Sequence, residues 1–122
     1  GRILFTGISR RVGFWLSHFD AFMLLSRFEG LPNVLIEAQF SGVPVVTTLA
    51  GGAGEAVQEG ATGLTLPSGE VEAATVVRAM ERMREMCRND PDIGEKARTW
   101  ATARFSLERM IASTVNCYVN SY

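Results

Sequence analysis

Two carboxylates, Glu29 and Glu37, have seven residues between them in the run EGLPNVLIEA. Gly30, Leu31, Pro32 and Asn33 separate the first acid from a hydrophobic stretch and read as a turn feeding a helix. Proline is tolerated in a first helical turn, and asparagine can cap one. A helix opening here leaves backbone N–H groups near Asn33 and Val34 without intrahelical partners, at the positive end of the helix dipole. That is a ready site for a phosphate. Glu37 lies about one turn further on, where its two oxygens could accept both hydroxyls of a diol, such as a ribose joined to that phosphate. Glu29 lies on the loop, where a sugar beyond the phosphate would sit. A second loop, Gly51-Gly52-Ala53-Gly54, would let backbone come close to a ligand. An acid early in a helix also stabilises it through the dipole, and Gly-Leu-Pro often leads into a helix, so the pair means little without its surroundings.

The elements that must hold these groups can be read from hydrophobic patterning. Ile3-Leu4-Phe5, closed by Gly7, predicts a buried strand. Val12 to His18 predicts a short helix. Ala21 to Leu25 is a continuous apolar run between Asp20 and Ser26, as in a strand buried on both faces. The helix after Pro32-Asn33 ends at Gly42, and Pro44 to Thr48 predicts a third strand, with proline at its first position. After the glycine loop come a short helix at Glu55–Glu59, a turn at Gly60–Gly63 and a brief edge-like strand, Leu64-Thr65-Leu66. The remainder reads as helix. Ala73, Val76, Val77, Met80, Met83 and Cys87 share one face. Asp90-Pro91 opens a second helix, running to about Arg104, and Ser106 caps a third. In that third helix Leu107, Met110, Ile111, Thr114, Val115, Tyr118 and Val119 form a stripe. Both stripes are expected to face the core. Alternating strands and helices predict an α/β layer with parallel strands. In such sheets ligands bind beyond the carboxyl ends of the strands, so the loops from Ser26 to Gly30 and from Thr48 to Gly54 should share one crevice.

Composition narrows the classes. The chain has 122 residues, 47% hydrophobic and 20% charged, with a formal net charge of −1. That suits one globular domain and offers no broad basic field for nucleic acid. No run reaches the length of a membrane span. Two cysteines, Cys87 and Cys117, make neither a disulfide framework nor a zinc set. They are expected to be reduced core residues in a cytoplasmic setting. His18 precedes the second strand, at the wrong end of the sheet for chemistry, and reads as a surface or helix-end histidine. Three main strands make a thin sheet with an open edge that invites self-association. The chain starts Gly1-Arg2 and enters an apolar run at once, as an excised domain would.

Taken together, the motifs resemble those of the retaining group 1, or family four, glycosyltransferases of GT-B fold. The matching positions are Leu4-Phe5-Thr6-Gly7, Asp20, Ser26, Glu29-Gly30-Leu31-Pro32 and Glu37-Ala38. They continue through Gly42-Val43-Pro44-Val45-Val46, Gly51-Gly52-Ala53-Gly54-Glu55 and Gly60-Ala61-Thr62-Gly63. The resemblance covers nearly the whole chain. It implies a Rossmann-like parallel sheet with flanking helices, the C-terminal part of a GT-B donor-binding domain. Residues 1–122 would then be a partial nucleotide-sugar-binding domain, with a strand–helix core over about 3–66 and a helical tail over about 69–121.

The implied reaction transfers a sugar from a nucleotide-sugar to an acceptor with retained anomeric configuration. The resemblance puts Glu29 at the donor sugar as the catalytic carboxylate, together with the Gly30-Leu31 backbone. Asn33 and Val34 would meet the diphosphate, Glu37 the ribose, and Gly51-Gly52 the donor. Pro32 and Glu55 would support these groups. No cofactor and no metal are implied. The acceptor, a glycan or lipid-linked glycan, would be bound by an N-terminal domain outside these residues. The family's basic pair for the diphosphate also lies outside them, so this chain alone is expected to be inactive. The full-length protein would work in the cytoplasm or at the inner face of the membrane. A GT-B sugar-nucleotide epimerase and a non-catalytic assembly module are the alternatives. The sequence departs from the family pattern at Ala53-Gly54, in place of the commoner Ile-Pro, and at Gln39-Phe40-Ser41, in place of a smaller, more apolar helix end. The glycine loop is therefore expected to be more mobile.

Overall fold

The apolar runs near residues 22 and 45 pair side by side in the computed structural model, which describes residues 1–120. Within that range the side chains of Tyr118 and Asn120 are not described, so the place expected for Tyr118 in the last stripe, and residue 121 of the tail, lie outside the described residues. Strand β1 (Phe22–Leu24) pairs in parallel with β2 (Val45–Thr48), and β2 pairs in parallel with β3 (Gly63–Leu66), in the order β1-β2-β3. The β2 strand is central and wholly buried, which suits its unbroken Val-Val-Thr-Thr run.

Alternation along the strands feeds two cores. Val45, Leu35, Ala38, Val43, Ala53 and Ala56 fill one face, with Phe22 and Leu24 packed on them. Val46, Leu64, Leu66, Ala79 and Met83 fill the other, with Met23 alongside. The first core is covered by α1 (Val12–Leu16), through Leu16, and by α2 (Asn33–Phe40). The second is covered by α3 (Ala73–Asn89). Each fully buried Leu or Val contributes about 1.5–3 kcal/mol by leaving water. Helices α4 (Ile93–Phe105) and α5 (Leu107–Asn120) complete the described residues.

Helix α2 starts one residue later than its sequence suggests. Pro32 is the N-cap, with extended backbone (φ −75°, ψ 108°), and Asn33 is already helical and makes no capping hydrogen bond. The helix stops at Gly42, whose φ of +77° turns the chain into the left-handed region that glycine tolerates. The Val43 N–H then bonds the Ala38 carbonyl at 2.9 Å and aims the chain into β2. The C-terminal end of α2 is capped from α4. Arg98 Nε donates to the Phe40 carbonyl at 3.1 Å, and its Nη2 donates to Ser41 O at 3.4 Å, so a cation sits at the negative end of the helix.

Four further expectations differ from the structure. Ile3, Leu4 and Phe5 form no strand and are 87%, 78% and 92% exposed. A buried parallel strand needs a ladder and cover on both faces, and among the described residues nothing pairs with the outer edge of β1 and nothing covers this segment. The short helix expected at Glu55–Glu59 is instead a 3₁₀ helix over Gly51–Ala56, which begins at the glycines themselves. Of the α3 stripe Met83 alone is buried and Val76 and Cys87 are half-buried, whereas Ala73, Val77 and Met80 are exposed; the core contact is made by Ala79, outside the stripe, together with Met83, and the sheet ends at β1. In α5, Leu107, Met110, Ile111, Val115 and Val119 are all exposed, because this helix packs mainly on α4. The brief strand at residues 64–66 does lie at the sheet edge, yet Leu64 and Leu66 are buried under α3.

Candidate functional site

The loops that leave β1 and β2 at their carboxyl ends are bound to each other. The Thr48 hydroxyl accepts the Ser26 N–H at 3.0 Å and donates to the Ser26 carbonyl at 2.6 Å. The Gly52 N–H donates to the Gly30 carbonyl at 3.0 Å. Gly51 has φ +56°, and a Cβ placed there would overlap the Glu29 carbonyl oxygen. At Gly52 a Cβ would meet the Gly30 carbonyl oxygen at 2.9 Å. The glycines thus let two protein backbones close on each other. The close approach expected between Gly51-Gly52 and a ligand has this intramolecular counterpart.

Glu29 is half-buried, and its Oε1 accepts the Ser26 hydroxyl at 2.6 Å. That length is typical of a charge-assisted O–H···O⁻ bond. Gly30 and Leu31 follow it and are exposed, while Pro32 is buried at the head of α2. Among the described residues the Asn33 and Val34 N–H groups have no partner, and Leu35 N–H folds back to the Pro32 carbonyl at 3.1 Å. The first turn of α2 holds no acid that would neutralise its positive end. Glu37 is exposed, and its carboxylate makes no hydrogen bond or ion pair among the described residues. A free N-terminus, a free carboxylate one turn on and a held carboxylate before it therefore lie along one continuous loop and helix. Such a set can bind an anion and hydroxyl groups together.

Glu55 does not support the glycine loop as expected. It is exposed and makes no hydrogen bond or ion pair among the described residues. The loop is held instead by Ala50 O, which accepts the Ala53 N–H at 3.1 Å, and by Gln39. The Gln39 side chain is fully buried, and its Nε2 donates to the Ala56 and Leu35 carbonyls, while its Oε1 has no partner. His18 lies exposed past the end of α1, with Nδ1 2.8 Å from the Phe14 carbonyl, away from this site. Among the described residues no group of three or more His, Cys, Asp or Glu side chains could hold a metal ion.

The family model for Glycosyl transferases group 1 matches residues 1–85. The chain belongs to this family.

Relatives of the group 1 chain agree over most of its length. It is 43% identical over 115 residues to the Vi polysaccharide biosynthesis protein VipC/TviE of Salmonella typhi, covering 93% of this chain and 20% of the relative. It is 32% identical over 119 residues to N-acetyl-alpha-D-glucosaminyl L-malate synthase of Bacillus anthracis, covering 96% of this chain and 30% of the relative. The chain thus spans less than a third of the length of either protein. Among solved structures, Anabaena HepE in complex with UDP and glucose superposes with a TM-score of 0.72 at 27% identity, covering 95% of this chain and 32% of that one. The α/β architecture with its parallel sheet is shared with that GT-B neighbour.

Within this glycosyltransferase domain, three contributors escaped the sequence reading of the site. Ser26 and Thr48 begin the two crevice loops, and the sequence assigns no role to their hydroxyls. The Thr48 hydroxyl joins two loops 22 residues apart through the Ser26 backbone, and the Ser26 hydroxyl holds Glu29, links that spacing alone cannot show. Arg27, beside Glu29, is tied to Glu70 at 2.7 Å, with both side chains largely in solvent. Such an exposed pair contributes little to stability and leaves the guanidinium near the carboxyl ends of the strands. The Gln39 departure from the family pattern also has a structural consequence: it fastens α2 to the 3₁₀ helix.

Proposed function

We propose that this chain is the donor half of a glycosyltransferase active site, in which a sugar passes from a nucleotide-sugar to an acceptor with retention at the anomeric carbon. The observation that carries the reading is the open N-terminus of α2, with unpaired N–H groups at Asn33 and Val34, standing between Glu29 and an unengaged Glu37. The diphosphate would lie on those N–H groups, which stabilise the negative charge that grows as the bond from sugar to phosphate breaks. Glu37 would take the ribose hydroxyls. Glu29, with the Gly30-Leu31 backbone, would hold the donor sugar, where positive charge develops in an oxocarbenium-like state. Gly51 and Gly52 would border the donor from the β2 side. This scheme uses side chains and helix N–H groups and calls for no metal. The UDP and glucose bound by the Anabaena neighbour are consistent with a nucleotide-sugar donor.

The acceptor, a glycan or lipid-linked glycan, would be bound by a further domain in a protein as long as the relatives. Among the described residues no helix is long and apolar enough to cross a membrane.

Ligand-observed NMR with UDP, GDP and ADP, beside a Glu37→Ala control, tests the reading. One nucleotide should bind saturably and lose at least about tenfold in affinity in the control, as the loss of a charge-assisted pair of hydrogen bonds implies. Absence of binding by all three, both in this chain and in the protein at its natural length, would overturn it.

A further inference from the structure

Glu29 is the one group of the proposed site whose side chain is already held, and the holder comes from three residues earlier. The Ser26 hydroxyl can hold it only because Ser26 is itself fixed. Thr48 is 1% exposed, and its single hydroxyl both accepts from the Ser26 N–H and donates to the Ser26 carbonyl. That pairing continues the β1–β2 ladder by one step, with a side chain standing in for backbone. Threonine is β-branched, so few rotamers are open to it, and burial in the central strand selects one. The far end of the loop is fixed separately, by the Gly52 N–H on Gly30 O and by the close fit of Gly51 against Glu29 O. With both ends of the loop anchored to the chain that leaves β2, the main freedom left is rotation of the Glu29 side chain. The Ser26 Oγ bond to Oε1 removes it, and Oε2 makes no hydrogen bond among the described residues.

We propose that Ser26 is a positioning residue for Glu29, with Thr48 behind it. The buried Thr48 hydroxyl sets the Ser26 backbone, the Ser26 hydroxyl sets one carboxylate oxygen of Glu29, and the other oxygen faces the donor sugar. This inference rests on the donor-site reading given above. Its first consequence, the fixed carboxylate, holds whether or not a nucleotide is present.

The test uses the protein at its natural length, in Ser26→Ala, Ser26→Thr, Thr48→Val and Thr48→Ser variants. In ligand-free protein labelled with ¹³C-glutamate, the Glu29 carboxylate signal, assigned by its loss in Glu29→Gln, should shift in Ser26→Ala and Thr48→Val. It should return towards its original position in Ser26→Thr and Thr48→Ser, which keep a hydroxyl. Donor turnover is followed as release of the nucleoside diphosphate identified by the binding experiment. Ser26→Ala should lower kcat about tenfold or more, the size expected for losing a hydrogen bond to a charged group, while KM for the donor changes little. An unchanged Glu29 signal in Ser26→Ala overturns the inference, and so does an unchanged kcat alongside a shifted signal. Absence of nucleotide binding in the unmodified protein would sink the donor-site reading instead, and the Glu29 signal would still decide whether Ser26 holds that carboxylate.

Discussion

At the scale of single residues, small side chains decide the geometry and larger ones respond to pH. Gly51 has left-handed backbone and no room for a Cβ against Glu29 O. Gly51→Ala should therefore cost at least about 1 kcal/mol from backbone strain alone. It should also push the Glu29 loop away, so that urea midpoints and nucleotide affinity fall together. Lys96 Nζ stands 2.5 Å from Asp90 Oδ2, and that hydrogen bond holds the Asp90 carboxyl below its usual range. The folded value lies below the unfolded one. The contribution to stability is therefore present above the unfolded carboxylate range and is lost as pH falls through the folded value. Lys96→Met should flatten the fall of urea midpoints between about pH 5 and 2. Cys87 shifts in the opposite direction: burial, and then the nearby Asp20 charge, push its thiol up. Neither cysteine is in a disulfide, but only Cys87 contributes to a core, because Cys117 is exposed. The placement of Glu29 and Glu37 on either side of a helix start was legible from residue type and spacing. The support given by Ser26 and Thr48 was not, because a hydroxyl that links two loops leaves no periodic mark.

At the scale of elements, α2 is set by what happens at its two ends. Its N-terminus is left open at the proposed site. Its C-terminus is closed by Arg98 and by a glycine contact between α2 and α4, where a Cβ on Gly94 would overlap the Gly42 carbonyl oxygen. Gly94→Ala should force α4 outward and destabilise the protein by about 1–3 kcal/mol, as overpacking does. Thermal or urea unfolding measures this, and an unchanged midpoint would show that α4 does not brace α2. The existence of α2, β2 and α3 was legible from apolar runs bounded by Pro32, Gly42, Pro44 and Gly69. The start of α2 and the 3₁₀ helix were misplaced by a residue or more. A cap and a glycine-rich turn are chosen by the hydrogen bonds available nearby, and those come from other parts of the chain.

At the scale of the whole molecule, apolar surface is left over. Ile3, Leu4, Phe5 and Ile8 are exposed. A groove of about 520 Å³ runs between β1 and α3, lined by Phe22, Met23, Met80 and Met83. The α5 stripe is exposed as well. Residues at the other edge of the sheet are blunted: the Thr65 N–H and hydroxyl both donate to Glu59 Oε2, at 2.6 and 2.8 Å. Among the described residues no strand lies outside β1, so its backbone edge and the apolar surface around it invite a partner. This chain should therefore self-associate when concentrated, as sedimentation would show. The pair Ile111→Glu and Val115→Glu should weaken the association at least about tenfold if α5 takes part, since each tenfold step corresponds to only about 1.4 kcal/mol. A monodisperse monomer at high concentration would contradict this picture.

The sequence by itself determined the fold class, the parallel order of alternating strands and helices, the family, and the pairing of Glu29 with Glu37 across a helix start. These depend on local hydrophobic periods and on short spacings, which act within a few residues of one another. Tertiary structure alone decided which apolar stripes are buried, that Ile3–Phe5 forms no strand, and that Thr48, Ser26 and the glycines hold Glu29 in place. Burial and hydrogen bonding between distant segments depend on which surfaces meet, and a one-dimensional pattern states that a face is apolar without stating what covers it.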